Sequence, residues 1–199
     1  MTGGDRRRVA AIVLGGGRAS RLGGVDKASV EIDGALLVDH VYAAVRDCTP
    51  IVAVGPESLA RPGVTVVRED PPFGGPAAAL VAGLASLSDA EAVETWVLAC
   101  DLPRASALVA TLAPVPIPEG ADGVVATDAH GRTQWLAGRY RLSSLRRAAS
   151  RLSEIEGASM RTLLAGLELH PVDDGGTAID LDTWAAIEDY RNTRKDHHD

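Results

Sequence analysis

Short apolar runs alternate along the chain with segments whose apolar residues recur at helical spacing. The first run, Val9–Leu14, is continuously apolar and ends in three glycines, which is typical of a buried parallel strand. Further strands are predicted over 51–55, 64–68, 95–99, 123–127, 135–140, 168–172 and 178–181. Helices are predicted over 36–45, 76–87, 105–112, most of 142–164, and a closing segment from 183 to about 194. Because strands alternate with helices throughout, we predict an α/β protein with three layers, α/β/α, around a mostly parallel, Rossmann-like sheet.

The chain of 199 residues fits one ordinary domain, which we place at residues 9–194. Residues 1–8 are polar and rich in glycine and arginine, and we expect a flexible leader there; residues 195–199 form a polar tail. Three prolines in the 112–121 segment suit an extended surface connection inside the domain better than a linker between two domains.

Composition and charge exclude several classes of function. Hydrophobic residues make up 46% of the chain and charged residues 24%, as in a globular protein with a core. Lysine and arginine number 20 against 27 acidic residues, a net charge of −7, so we expect no nucleic-acid partner, although one local basic pocket remains compatible with this balance. Cys48 and Cys100 lack the spacing of a zinc site or a disulfide framework. With no apolar stretch long enough for a membrane span, we expect a cytoplasmic protein without a membrane partner.

The segment after the first strand, residues 15–27, combines consecutive glycines with basic side chains. Glycines without a Cβ let backbone N–H groups approach an anion closely. Three positive charges lie within ten residues: Arg18, Arg21 and Lys27. The spacing is not that of a Walker A motif, and Ser20 stands where a dinucleotide-binding fingerprint has its last glycine. These features favour a cradle for a triphosphate over a tight turn that binds nothing.

The ends of the later strands carry the other candidate residues, because ligands of such sheets bind outside the carboxyl ends of the strands. Asp101 follows a buried strand directly and is a candidate Mg²⁺ ligand or, alternatively, the N-cap of the helix near residue 105. Asp70 is placed to accept hydrogen bonds from a ribose or a base, or else belongs to a rigid loop with Pro71 and Pro72. Residues 73–76 supply backbone N–H groups at a helix start, which suits an anion or a base edge.

Residues 14–27 resemble the signature loop of nucleotidyltransferases with a glycosyltransferase-A-like fold. The likeness continues through 31–34, 69–76, 99–103 and 179–183, spans nearly the whole chain, and is most similar to the molybdenum cofactor guanylyltransferase (MobA) family. The resemblance implies a fold like that of nucleotide-diphospho-sugar transferases. It also implies Mg²⁺-dependent transfer of GMP from GTP to phosphorylated molybdopterin, which gives the guanine dinucleotide form of the molybdenum cofactor and pyrophosphate.

Two alternatives stay open from the residues alone. One is another small Mg²⁺-dependent nucleotidyltransferase, which uses CTP in place of GTP or transfers the nucleotide to a sugar or alcohol phosphate. The other is a nucleotide-binding module without catalysis. The partners that the resemblance implies are GTP and molybdopterin. We also expect partner proteins that donate or accept the cofactor.

Site residues follow from the resemblance by position. The implied nucleotide contacts are Leu14, Gly15, Gly16, Lys27, Gly55, Asp70 and Asp101. Lys27, Arg21 and Asp101 are the implied catalytic residues, since the two cations would offset phosphate charge while Asp101 holds the metal.

A second metal ligand is predicted late in the chain, at Asp180. The family often has an Asn-x-Asn-Thr pattern where this chain has residues 180–183. Asp180 and Asp182 would point to the same face of an extended run, so either carboxylate could reach the metal. Asp182 is alternatively the N-cap of the closing helix.

Overall fold

The computed structural model describes residues 9–15, 29–179 and 187–190. Within them lie nine strands: β1 (Val9–Leu14), β2 (Glu31–Ile32), β3 (Ala35–Leu36), β4 (Ile51–Val54), β5 (Val64–Val67), β6 (Glu94–Ala99), β7 (Gly123–Thr127), β8 (Thr133–Arg141) and β9 (Leu169–Asp173). The same residues contain five longer helices: α1 (Leu37–Ala44), α2 (Pro76–Ser86), α3 (Ala105–Leu112), α4 (Leu142–Ala149) and α5 (Met160–Leu164). Residues 57–59 add one turn of 3₁₀ helix.

Seven of the strands form one sheet in the order β5-β4-β1-β6-β8-β7-β9. The pairs β1–β4, β4–β5, β1–β6 and β7–β9 are parallel, whereas β8 runs antiparallel to both β6 and β7. The mostly parallel sheet predicted from the sequence is therefore confirmed. Its parallel strands end at one edge, which is where ligands bind in sheets of this kind.

Alternate side chains of β1 enter the two halves of the core. Ala11 and Val13 pack into a cluster with residues of α1 and α3, while Ile12 and Leu14 pack into a second cluster with residues of α2, α4 and α5. Since successive side chains of a strand point to opposite faces, the helices cover both faces of the sheet. The three-layer α/β/α architecture is confirmed.

The structure corrects the sequence prediction at two places. The predicted long helix over 142–164 is two helices, α4 and α5, separated by residues 150–159; Gly157 has a φ of 72°, and Ser159 accepts a hydrogen bond from the Thr162 N–H (3.0 Å) as N-cap of α5. A hairpin of β2 and β3 precedes α1, and its two-residue turn, Asp33-Gly34, has φ values of 52° and 79°. Local turn and capping residues, namely Asp33-Gly34 in the hairpin and Gly157 and Ser159 before α5, explain both differences.

The remaining predictions about organisation have mixed outcomes. Residues 178 and 179 are not in a strand, and the rest of the predicted run 178–181 lies outside the described residues. The helix at 187–190 agrees with the predicted closing helix, whose ends also lie outside them. Residues 1–8 and 195–199 are not described, so the domain boundaries stay a prediction. In the part of the chain that is described, no helix is long and apolar enough to cross a membrane.

Candidate nucleotide-binding site

Three backbone hydrogen bonds hold the carboxyl ends of neighbouring strands together. The Gly15 N–H donates to the Val54 carbonyl (2.9 Å), the Gly55 N–H to the Val67 carbonyl (2.9 Å), and the Cys100 N–H to the Leu14 carbonyl (3.0 Å). These bonds continue the ladder of the sheet one residue beyond β1, β4 and β6. The chain segments that carry Gly15, Gly55 and Asp101 therefore leave the sheet side by side.

Gly15 and Gly55 both pack on the side chain of Leu59. A Cβ atom at Gly15 would lie 2.5 Å from Leu59 Cδ1, and one at Gly55 would lie 2.8 Å from the same atom. Leu59 is fully buried, and its carbonyl accepts a hydrogen bond from the Tyr42 hydroxyl (2.9 Å). Burial raises the pKa of Tyr42, so this hydroxyl stays protonated as a donor. A side chain at either position would have to displace Leu59, and the two glycines leave bare backbone at the edge of the sheet.

Asp101 lies two residues beyond β6 and is buried, with 6% of its surface exposed. The helix that follows, α3, has Arg104 as its N-cap and no side-chain cap hydrogen bond. The N-cap residue of α3 is therefore Arg104 and not Asp101. Its carboxylate is held between a buried strand and a buried turn at Leu102, a rigid setting for a ligand-binding group.

The donor set at this edge fits a divalent metal that is bound together with substrate. Among the described residues, no three His, Cys, Asp or Glu side chains form a group able to hold a metal ion on their own. Asp101 supplies a hard carboxylate oxygen, and Mg²⁺ is commonly bound by one or two carboxylates together with phosphate oxygens and waters. Asp101 therefore fits the role of one such ligand. Asp180, the predicted second ligand, lies outside the described residues.

The loop between β5 and α2 follows β5, the outermost strand on this side of the sheet. Asp70 is exposed, as a contact to ribose or base requires, whereas its neighbour Glu69 is buried (7% exposed). Glu69 Oε1 accepts a hydrogen bond from the Phe73 N–H (3.1 Å). The Gly74 carbonyl accepts one from the Gly157 N–H (2.9 Å), which ties the loop to the segment between α4 and α5.

Sequence reasoning did not single out Glu69 or the ring of Phe73 as site residues. A glutamate beside an aspartate at a predicted strand end is ordinarily exposed, so the sequence carried no sign of its burial. A single phenylalanine followed by two glycines was the available signal for an exposed ring in a tight loop.

The predicted site residues divide into those that the structure describes and those it does not. Leu14, Gly15, Gly55, Asp70 and Asp101 lie at or beside the carboxyl edge, with the Leu14 side chain in the core. Gly16, Arg18, Arg21, Lys27, Asp180 and Asp182 lie outside the described residues. The roles of both groups in binding and catalysis stay predictions.

Comparison with known proteins identifies related sequences. Residues 11–172 match the family model described as the MobA-like NTP transferase domain. A probable molybdenum cofactor guanylyltransferase of Mycobacterium tuberculosis (strain ATCC 25177 / H37Ra) is 31% identical over 167 residues, which are 81% of this chain and 80% of that protein. A molybdenum cofactor guanylyltransferase of Serratia proteamaculans (strain 568) is 32% identical over 102 residues, or 48% of this chain and 49% of the relative, so the match spans about half of its length.

A solved structure shows the same fold. The crystal structure of molybdopterin-guanine dinucleotide biosynthesis protein A from Archaeoglobus fulgidus superposes with a TM-score of 0.70 at 16% identity, covering 94% of this chain and 99% of that one. The resemblance inferred from the sequence motifs is therefore confirmed. With the family model matched over most of its length, the chain belongs to the MobA-like NTP transferase family.

Proposed function

We propose that this protein transfers GMP from GTP to phosphorylated molybdopterin and releases pyrophosphate. The observation that carries the proposal is the convergence of Gly15, Gly55 and buried Asp101 at one edge of the sheet, in a chain of the MobA-like NTP transferase family. The names of the relatives support guanylyl transfer as the particular reaction.

The reaction needs an acceptor phosphate oxygen in line with the bond between the α- and β-phosphorus atoms of GTP. The acceptor oxygen forms a bond to the α-phosphorus, the bond from that phosphorus to the bridging oxygen breaks, and pyrophosphate leaves with the electron pair. Little covalent chemistry is required of the protein, so its contribution is positioning and stabilisation of negative charge.

The bare backbone at Gly15 and Gly55 lets the nucleotide lie directly on the sheet edge. We assign a contact to the same nucleotide to Gly16, the next residue of the chain. We assign charge stabilisation to Lys27 and Arg21, because the described residues of this edge supply the acidic Asp70 and Asp101 and a triphosphate needs cations.

The metal would be held by Asp101, with Asp180 as a second ligand, and we assign Mg²⁺ because both groups are hard oxygen donors. When bound, the ion offsets charge on the phosphates. Asp70 would accept hydrogen bonds from the ribose or base. The cytoplasmic location expected from the sequence, and exchange of the cofactor with other proteins, belong to this same proposal.

A pyrophosphate-release assay with each of the four nucleoside triphosphates, Mg²⁺ and phosphorylated molybdopterin tests the proposal. We expect release with GTP that depends on the acceptor. Faster release with CTP would replace guanylyl transfer by cytidylyl transfer, and no release with any nucleotide that nevertheless binds would favour a binding module. A sugar phosphate in place of molybdopterin is the matched acceptor control.

A further inference from the structure

Phe73 is an exposed aromatic ring held in an unfavourable backbone conformation. Its side chain is 61% exposed, and it is the sole exposed aromatic residue within 9–15, 29–179 and 187–190. Its φ is 67°, in the left-handed region that bulky side chains rarely adopt. Strained backbone of this kind clusters at ligand-binding sites and switch regions, where the surrounding structure holds it in place.

A hydrogen bond to the Glu69 side chain holds Phe73 in that conformation. The Oε1 atom of Glu69 accepts the Phe73 N–H (3.1 Å), while its Oε2 atom is buried and has no hydrogen-bond partner within the described chain. A buried carboxylate with an unpaired oxygen is itself destabilising. The loop thus contains two features that cost stability, the φ of Phe73 and the unpaired Glu69 oxygen, and the Glu69 Oε1 hydrogen bond connects them.

The position of the loop points to the base of the nucleotide as the partner of this ring. The phosphate-binding segment follows β1 and Asp101 follows β6, whereas the Phe73 loop follows β5, two strands away on the opposite side of β1. Two strand spacings are roughly 10 Å, the scale on which a nucleoside extends from its 5′-phosphate. Gly55, which follows β4, lies between the two in the strand order and has no side chain.

We propose that the Phe73 ring stacks against the base of the bound nucleotide and that Glu69 is the positioning residue that holds the ring in place. The inference rests on the proposed function for its choice of site. An aromatic face stacks on any base, so Phe73 contributes affinity for nucleoside triphosphates in general, and discrimination between bases falls to polar groups such as Asp70.

Calorimetric titration of the full chain with GTP and with ribose 5-triphosphate, which has no base, tests the contact. Phe73→Ala keeps the left-handed backbone and removes only the ring; we expect GTP affinity to fall on the order of ten-fold while affinity for the base-free compound is unchanged. Phe73→Tyr should bind GTP like the wild type. Equal losses for both compounds, or no loss for either, would overturn the inference.

Three further variants separate positioning from a general loss of structure. Phe73→Gly relieves the backbone strain, so its melting temperature should be at least that of Phe73→Ala although GTP binding is equally weak. Glu69→Ala should weaken GTP binding with no additional loss when combined with Phe73→Ala, and Glu69→Gln, which keeps an acceptor oxygen, should restore it. Full additivity of Glu69→Ala and Phe73→Ala would remove Glu69 from the proposal.

The same titrations distinguish this inference from the proposed function. If the wild-type protein prefers CTP, the proposed guanylyl transfer is wrong, but the loss of affinity in Phe73→Ala can be measured equally well with CTP. Phosphorylated molybdopterin also carries an aromatic ring system, and its affinity should not change in Phe73→Ala. If that affinity falls while GTP binding is retained, the ring faces the acceptor and the inference is wrong. Ile155→Ala, which trims another exposed apolar side chain, is the control.

Discussion

The two halves of the sheet treat their polar groups differently. In the half formed by β5, β4, β1 and β6, the strand ends present bare glycine backbone, an exposed Asp70 and the exposed ring of Phe73. In the half formed by β8, β7 and β9, charged side chains such as Arg139, Arg141 and Asp122 bind other groups of the protein. The first half leaves groups accessible for ligand binding, and the second uses its charged groups to stabilise the fold.

Arginines of β8 show the second arrangement most clearly. Arg141 donates hydrogen bonds to the carbonyls of Ala121 (2.8 Å) and Ile117 (3.2 Å). Arg139 donates to the Ala113 carbonyl (3.2 Å), and its guanidinium lies over the Trp96 ring (5.7 Å to the centroid). Through these contacts the proline-containing connection between α3 and β7, predicted as an extended surface segment, is fixed to the sheet.

Asp122 has a comparable role at the start of β7. Its Oδ1 atom accepts hydrogen bonds from the Ser144 hydroxyl and from Arg147 Nη2 (2.9 Å), and its Oδ2 atom accepts the Glu168 N–H (3.0 Å). This carboxylate therefore joins β7, α4 and the start of β9. A carboxylate that accepts hydrogen bonds from several internal donors therefore has a structural role in this protein. We expect substitutions at the ligand-facing strand ends to change turnover, and substitutions in the β8, β7 and β9 half to change stability.

The largest expected effect is a loss of activity on replacing Asp101. Asp101→Asn keeps the shape but removes the charge assigned to the metal, so turnover in the pyrophosphate-release assay should fall on the order of 10²-fold or more. The circular-dichroism melting curve should stay close to that of the wild type. Asp89→Asn, at an exposed aspartate outside the site, is the matched control. Near-wild-type turnover would place the metal elsewhere.

A change at Gly15 should affect both activity and stability, because site and packing coincide there. The new Cβ of Gly15→Ala would lie 2.5 Å from Leu59 Cδ1, and relieving such a clash typically costs about 1–3 kcal/mol. We expect a lower melting temperature and weaker GTP binding. Gly166→Ala is the control, since its Cβ would come no nearer than 4.0 Å to Arg151 Nη1. If Gly15→Ala melts like Gly166→Ala, Leu59 moves aside easily and the glycine requirement is withdrawn.

The sequence was sufficient to predict the fold and insufficient to predict the loops. Continuous apolar runs such as Val9–Leu14 mark buried strands whatever their neighbours, so β1 agrees with its predicted limits and the layered architecture follows. The helical spacing of 142–164 did not reveal the break before Ser159, because the break depends on one cap and one turn. The Asp33-Gly34 pair is typical of a two-residue hairpin turn, but hydrophobic periodicity alone does not detect such short strands.

The candidate site was predictable only where strand ends define it. Gly15, Gly55 and Asp101 follow directly from the rule that ligands meet the carboxyl ends of parallel strands. Glu69 was not predictable, since its burial results from the folded β5–α2 loop and its contact with the Phe73 N–H. Neither composition nor spacing records such a tertiary arrangement.

A smaller effect, on stability alone, is expected at Asp122. Asp122→Asn should lower the free energy of unfolding by about 1–2 kcal/mol, the worth of charge-assisted hydrogen bonds to Ser144, Arg147 and the Glu168 N–H. Denaturant titration measures this, and turnover well below the melting temperature should not change. A turnover loss without destabilisation would contradict the division between the two halves.

The pH dependence of stability provides a second test of Asp122. Burial alone would raise its pKa, but hydrogen bonds from Ser144 and the Glu168 N–H, together with Arg147, lower the pKa below the ordinary value. A carboxylate with a lowered folded-state pKa stabilises the protein fully above its unfolded pKa of about 4 and loses this contribution as the pH falls through the folded value. The wild type should therefore lose more stability than Asp122→Asn as the pH falls below about 4, the ordinary pKa of an aspartate. Melting curves of both proteins over an acidic pH series measure this difference.

The smallest expected effect concerns Asp180, which would join the two halves if it binds the metal. β9 is parallel to β7, whose direction is that of β6, so the chain leaves Asp173 at the same edge as Asp101. The Asp174 carboxylate then holds a compact turn, because it accepts hydrogen bonds from the Gly176 N–H (2.7 Å) and the Ala178 N–H. Asp180→Asn should raise the Mg²⁺ concentration needed for half-maximal turnover, because such an ion is held by one or two carboxylates and one of them would be lost.

The melting temperature separates the possible roles of this late acidic pair. Asparagine caps a helix about as well as aspartate, so Asp182→Asn should change neither stability nor the Mg²⁺ requirement if Asp182 is only the N-cap of the closing helix. Asp180→Asn should leave the melting temperature unchanged and shift the Mg²⁺ titration alone. An unaltered Mg²⁺ requirement in Asp180→Asn, with Asp101→Asn inactive, would assign the metal to the β6 side of the sheet and leave β9 and its turn entirely structural.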